Sequence, residues 1–276
     1  MPRISGDKDI MAAEIPPLPT SPWQRLPKAL FVALLLAVIG LFAIEPPHEL
    51  LDKAKFIGFA LCHQMPELSF FIDGHQLPLC ARCTGMYLGL VTGVIFLAIR
   101  GRTRAARLPP RPIIVTLIGF IVVMGIDGVN STISIIPGAP QLYHTTNLIR
   151  IITGTLYGLA ISALFPPFFN AAIWTQPSGE RTIRSWRELG VMLVIAAIIV
   201  AIVLTMGDWL LYPVTIITIG GALGLLATLN SVIILSSMKL ENALSRWRQM
   251  ALPLVFGLAA GLIEITLLDV LRISIG

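Results

Sequence analysis

The sequence predicts an all-α fold: a polytopic bundle of about seven transmembrane helices with its N-terminus in the cytoplasm. Three features support it. First, charged residues make up only 13% of the 276 residues and hydrophobic ones 55%, whereas a soluble domain carries roughly a quarter charged residues. Mean hydropathy is +0.83. Second, apolar runs near the length that crosses a hydrocarbon core, about 20 helical residues, recur along the chain. Third, the cations gather in alternate gaps between those runs. Together these exclude a typical soluble enzyme, a disordered chain and a disulfide-rich secreted module.

The runs cover residues 29–44, 84–99, 113–134, 147–169, 189–206, 210–236 and 251–271. Ahead of them, residues 1–28 read as a disordered cytoplasmic leader, because Pro16, Pro17, Pro19 and Pro22 block a helix. That leader contains acids and no clean A-x-A cleavage site, so the first run reads as a signal anchor rather than a cleaved signal peptide. Residues 45–83 form a loop between the first two runs. Residues 29–171 read as a core membrane domain and 172–276 as a C-terminal three-helix membrane segment. Gly207, Asp208 and Trp209 alone separate the fifth and sixth runs, which predicts a tight hairpin. Gly85, Gly89 and Gly93 recur every four residues, as do the pairs Gly154 and Gly158, Gly220 and Gly224, and Gly257 and Gly261. Small residues at this spacing let helices approach closely in lipid.

With the N-terminus inside, 15 of the 20 Lys and Arg and six of the 15 Asp and Glu fall on the inner side, which makes that face +9 and the outer face −4. Excess Lys and Arg in cytoplasmic loops is the usual orientation signal. The basic pI, near 9.4, therefore calls for no nucleic-acid partner. The chain is expected in the plasma (cytoplasmic) membrane, multi-pass, with the bilayer as its partner and the 45–83 loop outside.

All three cysteines and two of the four histidines lie between residues 62 and 85, in the later part of that loop and its junction with the second run: Cys62-His63, then His75, then Cys80-Ala81-Arg82-Cys83 followed by Gly85. Two thiols at C-x-x-C spacing with a nearby glycine have the shape of a metal knuckle. Cys62 supplies a third sulfur, and His63 or His75 can complete a tetrahedral zinc site of three cysteines and one histidine. A water in the fourth position instead would make the geometry catalytic. Two other readings stay open. Cys80 and Cys83 at a helix N-terminus beside Arg82 have the setting of a redox pair, and outside the cytoplasm thiols tend to oxidise to a structural disulfide.

Ionisable groups inside a span are costly and suggest function. Asp127 and Asn130 share a face near the outer end of the third run, and Asn147 and Arg150 open the fourth. Glu264 lies in the outer half of the seventh. Asp127 with Arg150 is the natural ion pair. Asp127 or Glu264 is the candidate for proton transfer, and Arg150 for orienting an anionic group. Asn130, Asn147 and Arg82 are candidate substrate-binding residues. A cysteine loop over this polar cluster suggests a pocket opening to the outer leaflet, suited to an amphiphilic or lipid-linked substrate.

The run Cys62-His63-Gln64-x-Pro66-Glu67-x-Ser69-Phe70-Phe71, with Gly74-x-Gln76-x-Pro78-Leu79-Cys80-Ala81-Arg82-Cys83-Thr84-Gly85-x-Tyr87-x-Gly89, resembles the signature of a predicted bacterial and archaeal membrane-protein family, domain of unknown function 2085. Gly125-x-Asp127-Gly128 and Thr146-Asn147-x-x-Arg150-x-x-Thr153-Gly154 also resemble its pattern. The resemblance covers roughly residues 55–160. It departs at Leu68, where the family pattern carries an arginine. It implies the membrane topology and brings no known activity. Three functions follow from the residues: a zinc protein, including metal-assisted chemistry on a membrane or lipid-linked substrate; a thiol–disulfide oxidoreductase using Cys80 and Cys83; and a non-enzymatic transporter or assembly factor.

Overall fold

The structure is a computed structural model. It describes residues 49–275 apart from 135 and 137–139, together with Ala33, Leu36 and Gly40, which are helical. The leader at 1–28 and all but those three positions of the 29–44 run lie outside the described residues.

Seven helices are described, and six are long and apolar enough to cross a membrane. The exception is α1, Leu50–Leu61, which lies within the segment read from sequence as a loop. At 12 residues it is too short to span. It buries Leu51, Ala54 and Ile57 along one stripe, the i, i+3, i+6 pattern of an amphipathic helix. A hairpin follows, β1 (Ser69–Ile72) with β2 (His75–Cys80). Its two-residue turn is Asp73-Gly74, both at positive φ (50° and 72°), the type I′ geometry for which Asp-Gly is a strong signal. The spans are α2 (Ala81–Ile99), α3 (Arg111–Ile133), α4 (Asn147–Ile173), α5 (Trp186–Leu204), α6 (Leu211–Ser237) and α7 (Trp247–Ile275). A short 3-10 turn, Asp208–Leu210, joins α5 to α6. These spans match the second to seventh runs, with ends shifted by a few residues.

The spine of the bundle is α2 against α4. The two run parallel and touch backbone to backbone. A methyl group on Gly85 would collide with the Ile151 carbonyl, one on Gly89 with that of Thr155, and one on Gly154 or Gly158 with those of Arg82 or Met86. Small side chains are what permit this approach. Gly257 lies equally close to the Ala227 carbonyl between α7 and α6, whereas Gly220 and Gly224 face open space and Gly221 instead meets Tyr87 and Val91. The spacing of that third pair therefore gave the right helix and the wrong face. Around the spine, α3 packs on α4, α6 on α2, and α7 on α6 and α1.

The two ends of the bundle differ. One carries the cysteines, α1 and the hairpin. The other carries the basic connections, folded into a layer. There β3 (Ala105–Arg107) pairs in parallel with β4 (Ser178–Arg181). Asn170 of α4 donates to the Thr103 and Ala105 carbonyls at 3.1 and 2.9 Å. Trp174 is fully buried beneath Arg104, whose guanidinium lies 4.0 Å from the ring.

Candidate metal centre

Three backbone segments each deliver one sulfur. Cys62 ends α1, with its N–H still bonded to the Gly58 carbonyl. Cys80 is both the last residue of β2 and the N-cap of α2. Cys83 lies in the first turn of α2. Their sulfurs all fall within 4.8 Å of one another. A tetrahedral zinc with 2.3 Å Zn–S bonds sets its sulfurs about 3.8 Å apart, so the spacing fits an ion at the centre. All three are free thiols, and Cys62 and Cys80 are buried among Ala54, Ile57, Leu79 and Tyr87.

The Cys62 turn is fastened from several sides. Gln64 Nε2 donates to the Lys55 and Pro78 carbonyls, both at 2.7 Å. Arg272 of α7 donates to the carbonyls of Phe59 (2.5 Å), Cys62 (2.8 Å) and His63 (3.2 Å). That guanidinium closes the C-terminal end of α1, where unpaired carbonyls gather partial negative charge.

The Cys80 N–H donates to Cys62 Sγ at 3.3 Å. Hydrogen bonds from the Cys80 and Cys83 thiols hold the Cys62 thiol far below its ordinary value, at about 2, against the burial that pushes it up. Its bond to Cys62 pushes Cys80 the other way. A metal ion bound between the sulfurs would take the place of thiol protons. His63 and His75 do not join it. Both are exposed, and His63 Nδ1 accepts from the Met65 N–H at 3.2 Å. The set expected from sequence, three cysteines and a histidine, is therefore three cysteines alone in this structure.

The ion pair read from sequence requires correction. Asp127 pairs with Arg82, not Arg150. Asp127 Oδ2 accepts from Arg82 Nη2 at 2.6 Å and Nε at 3.0 Å, and Oδ1 accepts from the Tyr143 hydroxyl at 2.9 Å. Close contact of the α2 and α4 backbones aims Arg82 past Gly128 into α3, a rotation no spacing within one helix reveals. Arg150 turns to the last turn of α3 and the connection after it, donating to Ser131 Oγ at 2.6 Å and Thr145 Oγ1 at 2.8 Å. Asn130 pins that connection, donating to the Tyr143 carbonyl and accepting from the Leu142 N–H, both at 2.8 Å. Asn147 donates to the Ser69 carbonyl at 3.1 Å and so ties α4 to the hairpin. Thr146 caps α4 by accepting from the Ile149 N–H at 3.3 Å.

Glu264 does not join this group. It accepts from Asn230 of α6 at 3.0 Å, on the α6–α7 side of the bundle, whereas Asp127 lies between α3 and α4. Asp269, farther along α7, is buried with neither carboxylate oxygen hydrogen-bonded. Two apolar grooves of about 430 and 420 Å³ run along α3 and between α4 and α5. The first is lined in part by Asn130 of the polar cluster, and neither is lined by a cysteine.

Comparison with known proteins fits this division. A family described as "Predicted membrane protein (DUF2085)" matches residues 62–164. An uncharacterized protein of Methanocaldococcus jannaschii is 32% identical over 127 residues, 44% of this chain and 75% of that protein. The chain belongs to the DUF2085 family. A second uncharacterized protein, from Methanothermobacter thermautotrophicus, is 33% identical over 84 residues, 29% of this chain and 76% of its own length. No solved structure matches. The DUF2085 region takes in all three cysteines, Arg82, Asp127 and Arg150, and ends before α5. It leaves out Glu264, Asp269 and Arg272.

Sequence reasoning passed over three features. Arg272 is the clasp on the Cys62 turn. Tyr143, in a connection, is a partner of Asp127. At the basic end, Glu188 forms a buried pair with Arg102 through two contacts of 2.7 Å. The available signal for that pair was one acid among many cations at the start of α5.

Proposed function

We propose that this integral membrane protein is a metalloprotein whose Cys62, Cys80 and Cys83 bind one zinc ion as thiolates at the extracytoplasmic end of the bundle. The observation that carries the reading is the convergence of three sulfurs, from three separate backbone segments, within 4.8 Å. Thiolates favour zinc and other soft ions over magnesium or calcium. An ion there cross-links the end of α1, the hairpin and the start of α2. Three protein ligands leave a fourth position for water or a substrate donor, the requirement for metal-assisted chemistry on a membrane or lipid-linked substrate. The geometry favours the fastening role. Asp127 is engaged by Arg82 and Tyr143, Arg150 by two hydroxyls, and Glu264 by Asn230 on another face, so none is aimed as an acid–base group at the sulfurs. The +9 and −4 charge division supports the orientation.

A second reading, thiol–disulfide exchange, is favoured by three free cysteines whose sulfurs fall within 4.8 Å, the grouping from which a mixed disulfide can be resolved. One experiment separates the two. The protein is purified in detergent without reductant or chelator, and its metals and reactive thiols are counted. About one zinc per chain, with thiols that react only after chelation, supports the metal reading. Metal-free protein whose missing thiols return with dithiothreitol overturns it and supports exchange.

A further inference from the structure

The three sulfurs belong to two pieces of backbone. Cys80 ends β2 and caps α2, and Cys83 lies in the first turn of that same helix, so these two are placed together. Cys62 ends α1 and arrives separately. Whether all three sulfurs can meet one ion therefore depends on what holds the end of α1 against β2.

The contacts at that joint converge on one side chain. Gly58 leaves α1 bare where the Pro78 carbonyl of β2 comes against it, and the Gln64 amide sits at the same point. An amide nitrogen has two donors, and Gln64 Nε2 uses both: one on the Lys55 carbonyl of α1 and one on the Pro78 carbonyl of β2, each at 2.7 Å. The Gln64 carbonyl in turn accepts from Gln76 Nε2 of β2 at 2.8 Å. Each end of this clasp lies two residues from a cysteine, Gln64 from Cys62 and Pro78 from Cys80. Across it the Cys80 N–H reaches Cys62 Sγ at 3.3 Å. Gln64 makes these bonds from the left-handed region, at φ 51°, which a side-chain-bearing residue holds only where its surroundings over-determine it. Arg272 also fastens the Cys62 turn, but to α7, so it does not set the separation of Cys62 from Cys80.

We infer that Gln64 is a positioning residue of the metal centre: its amide couples α1 to β2 and so sets the Cys62 sulfur at ligand distance from Cys80 and Cys83. This rests on the metal reading above. Every bond in the clasp is made between protein groups, so the turn is ordered before an ion arrives, and the ion binds without having to order it. Without the amide that ordering must accompany metal binding, and affinity falls.

The test is a zinc titration of the full chain in lipid nanodiscs against a chromophoric chelator, which reads both the number of sites and their affinity. Wild type is compared with Cys62→Ser, Gln64→Gly, Gln64→Glu and Ser69→Ala. Gln64→Gly suits the left-handed backbone and removes the amide. Gln64→Glu keeps the size and replaces the two donors with an acceptor. Both should keep the site and weaken it about tenfold or more, the usual size of an effect from outside the ligand shell. Ser69→Ala removes the 2.8 Å bond to the Met65 carbonyl and the 3.0 Å bond from Gln76 and leaves the amide in place, so it should bind nearly as wild type. Three results overturn the inference and, with Cys62→Ser still losing zinc, leave the metal reading intact. They are wild-type affinity in Gln64→Gly, fewer sites of unchanged affinity in both Gln64 variants, and a loss in Ser69→Ala equal to that in Gln64→Gly. The second would make the amide a folding element only, and the third would mean that any loosening of the hairpin suffices. Wild type that binds no zinc overturns both readings.

Discussion

The two ends of the bundle handle buried charge in opposite ways. At the basic end the buried cations meet an acid or aromatic rings, although the Nε atoms of Arg102 and Arg104 are left without a hydrogen-bond partner. Glu188 accepts from Arg102 at 2.7 Å and from Arg100 at 3.0 Å, and Arg104 lies over the Trp174 ring and beside that of Trp247. At the cysteine end, Asp127 satisfies Arg82, Arg150 is left to hydroxyls, and three sulfurs stand together with room for an ion. The first end is held by its own ion pairs and ring contacts, and the second is where the proposed metal would contribute.

The largest expected effect that breaks this contrast is at the closed end. Glu188→Gln strands Arg102, whose side chain is only 3% exposed. It should lower stability by about 3–5 kcal/mol, the usual cost of breaking a buried pair from one side, read as thermal unfolding in detergent. Next comes removal of the proposed metal. Stripping zinc should cost about 2.7 kcal/mol relative to protein held at a hundredfold excess over Kd. In hydrogen exchange the loss should appear in α1 and the hairpin and spare residues 174–185. A uniform response across both ends would end the distinction.

Gly89→Ala acts on the spine that joins the ends. Its methyl meets a carbonyl that cannot move alone, so α2 and α4 must part, at about 1–3 kcal/mol. The same change at Gly220, which faces open space, should be close to neutral. Tyr143→Phe removes one neutral donor to Asp127 while Arg82 remains, and should cost about 1 kcal/mol in the same unfolding assay. The smallest perturbation sharpens the sidedness. Asp73→Cys, at the exposed hairpin turn, should be labelled by a membrane-impermeant maleimide in intact cells, and Arg181→Cys in the basic layer only after permeabilisation. The opposite pattern would invert the orientation.

The membrane spans were legible because each depends on its own composition. The run at 113–134 became Arg111–Ile133 and that at 189–206 became Trp186–Leu204. The thiol group was legible because its three members lie within 22 residues. The rest depends on how helices are rotated against one another. Asp127 and Arg150 were reasonable partners from charge alone, and the choice of Arg82 follows from the Gly154 contact between α2 and α4. Helix α1 was hidden because its 12 residues include Asp52, Lys53 and Lys55 and fall short of a span. The basic layer was hidden because its ties, such as Asn170 to Thr103 and Ala105, cross some 65 positions.

The Arg272 clasp has a consequence for the order of events during synthesis. It reaches back 210 positions to the Cys62 carbonyl, so the turn that presents the first sulfur has only its Gln64 ties until α7 has entered the bilayer. Cys62, Cys80 and Cys83 emerge early and spend the insertion of five further helices without that restraint. The thiols are then most open to oxidation or to capture by the wrong ion. Maturation of the centre thus belongs to the end of assembly, and the arrival of one arginine marks it.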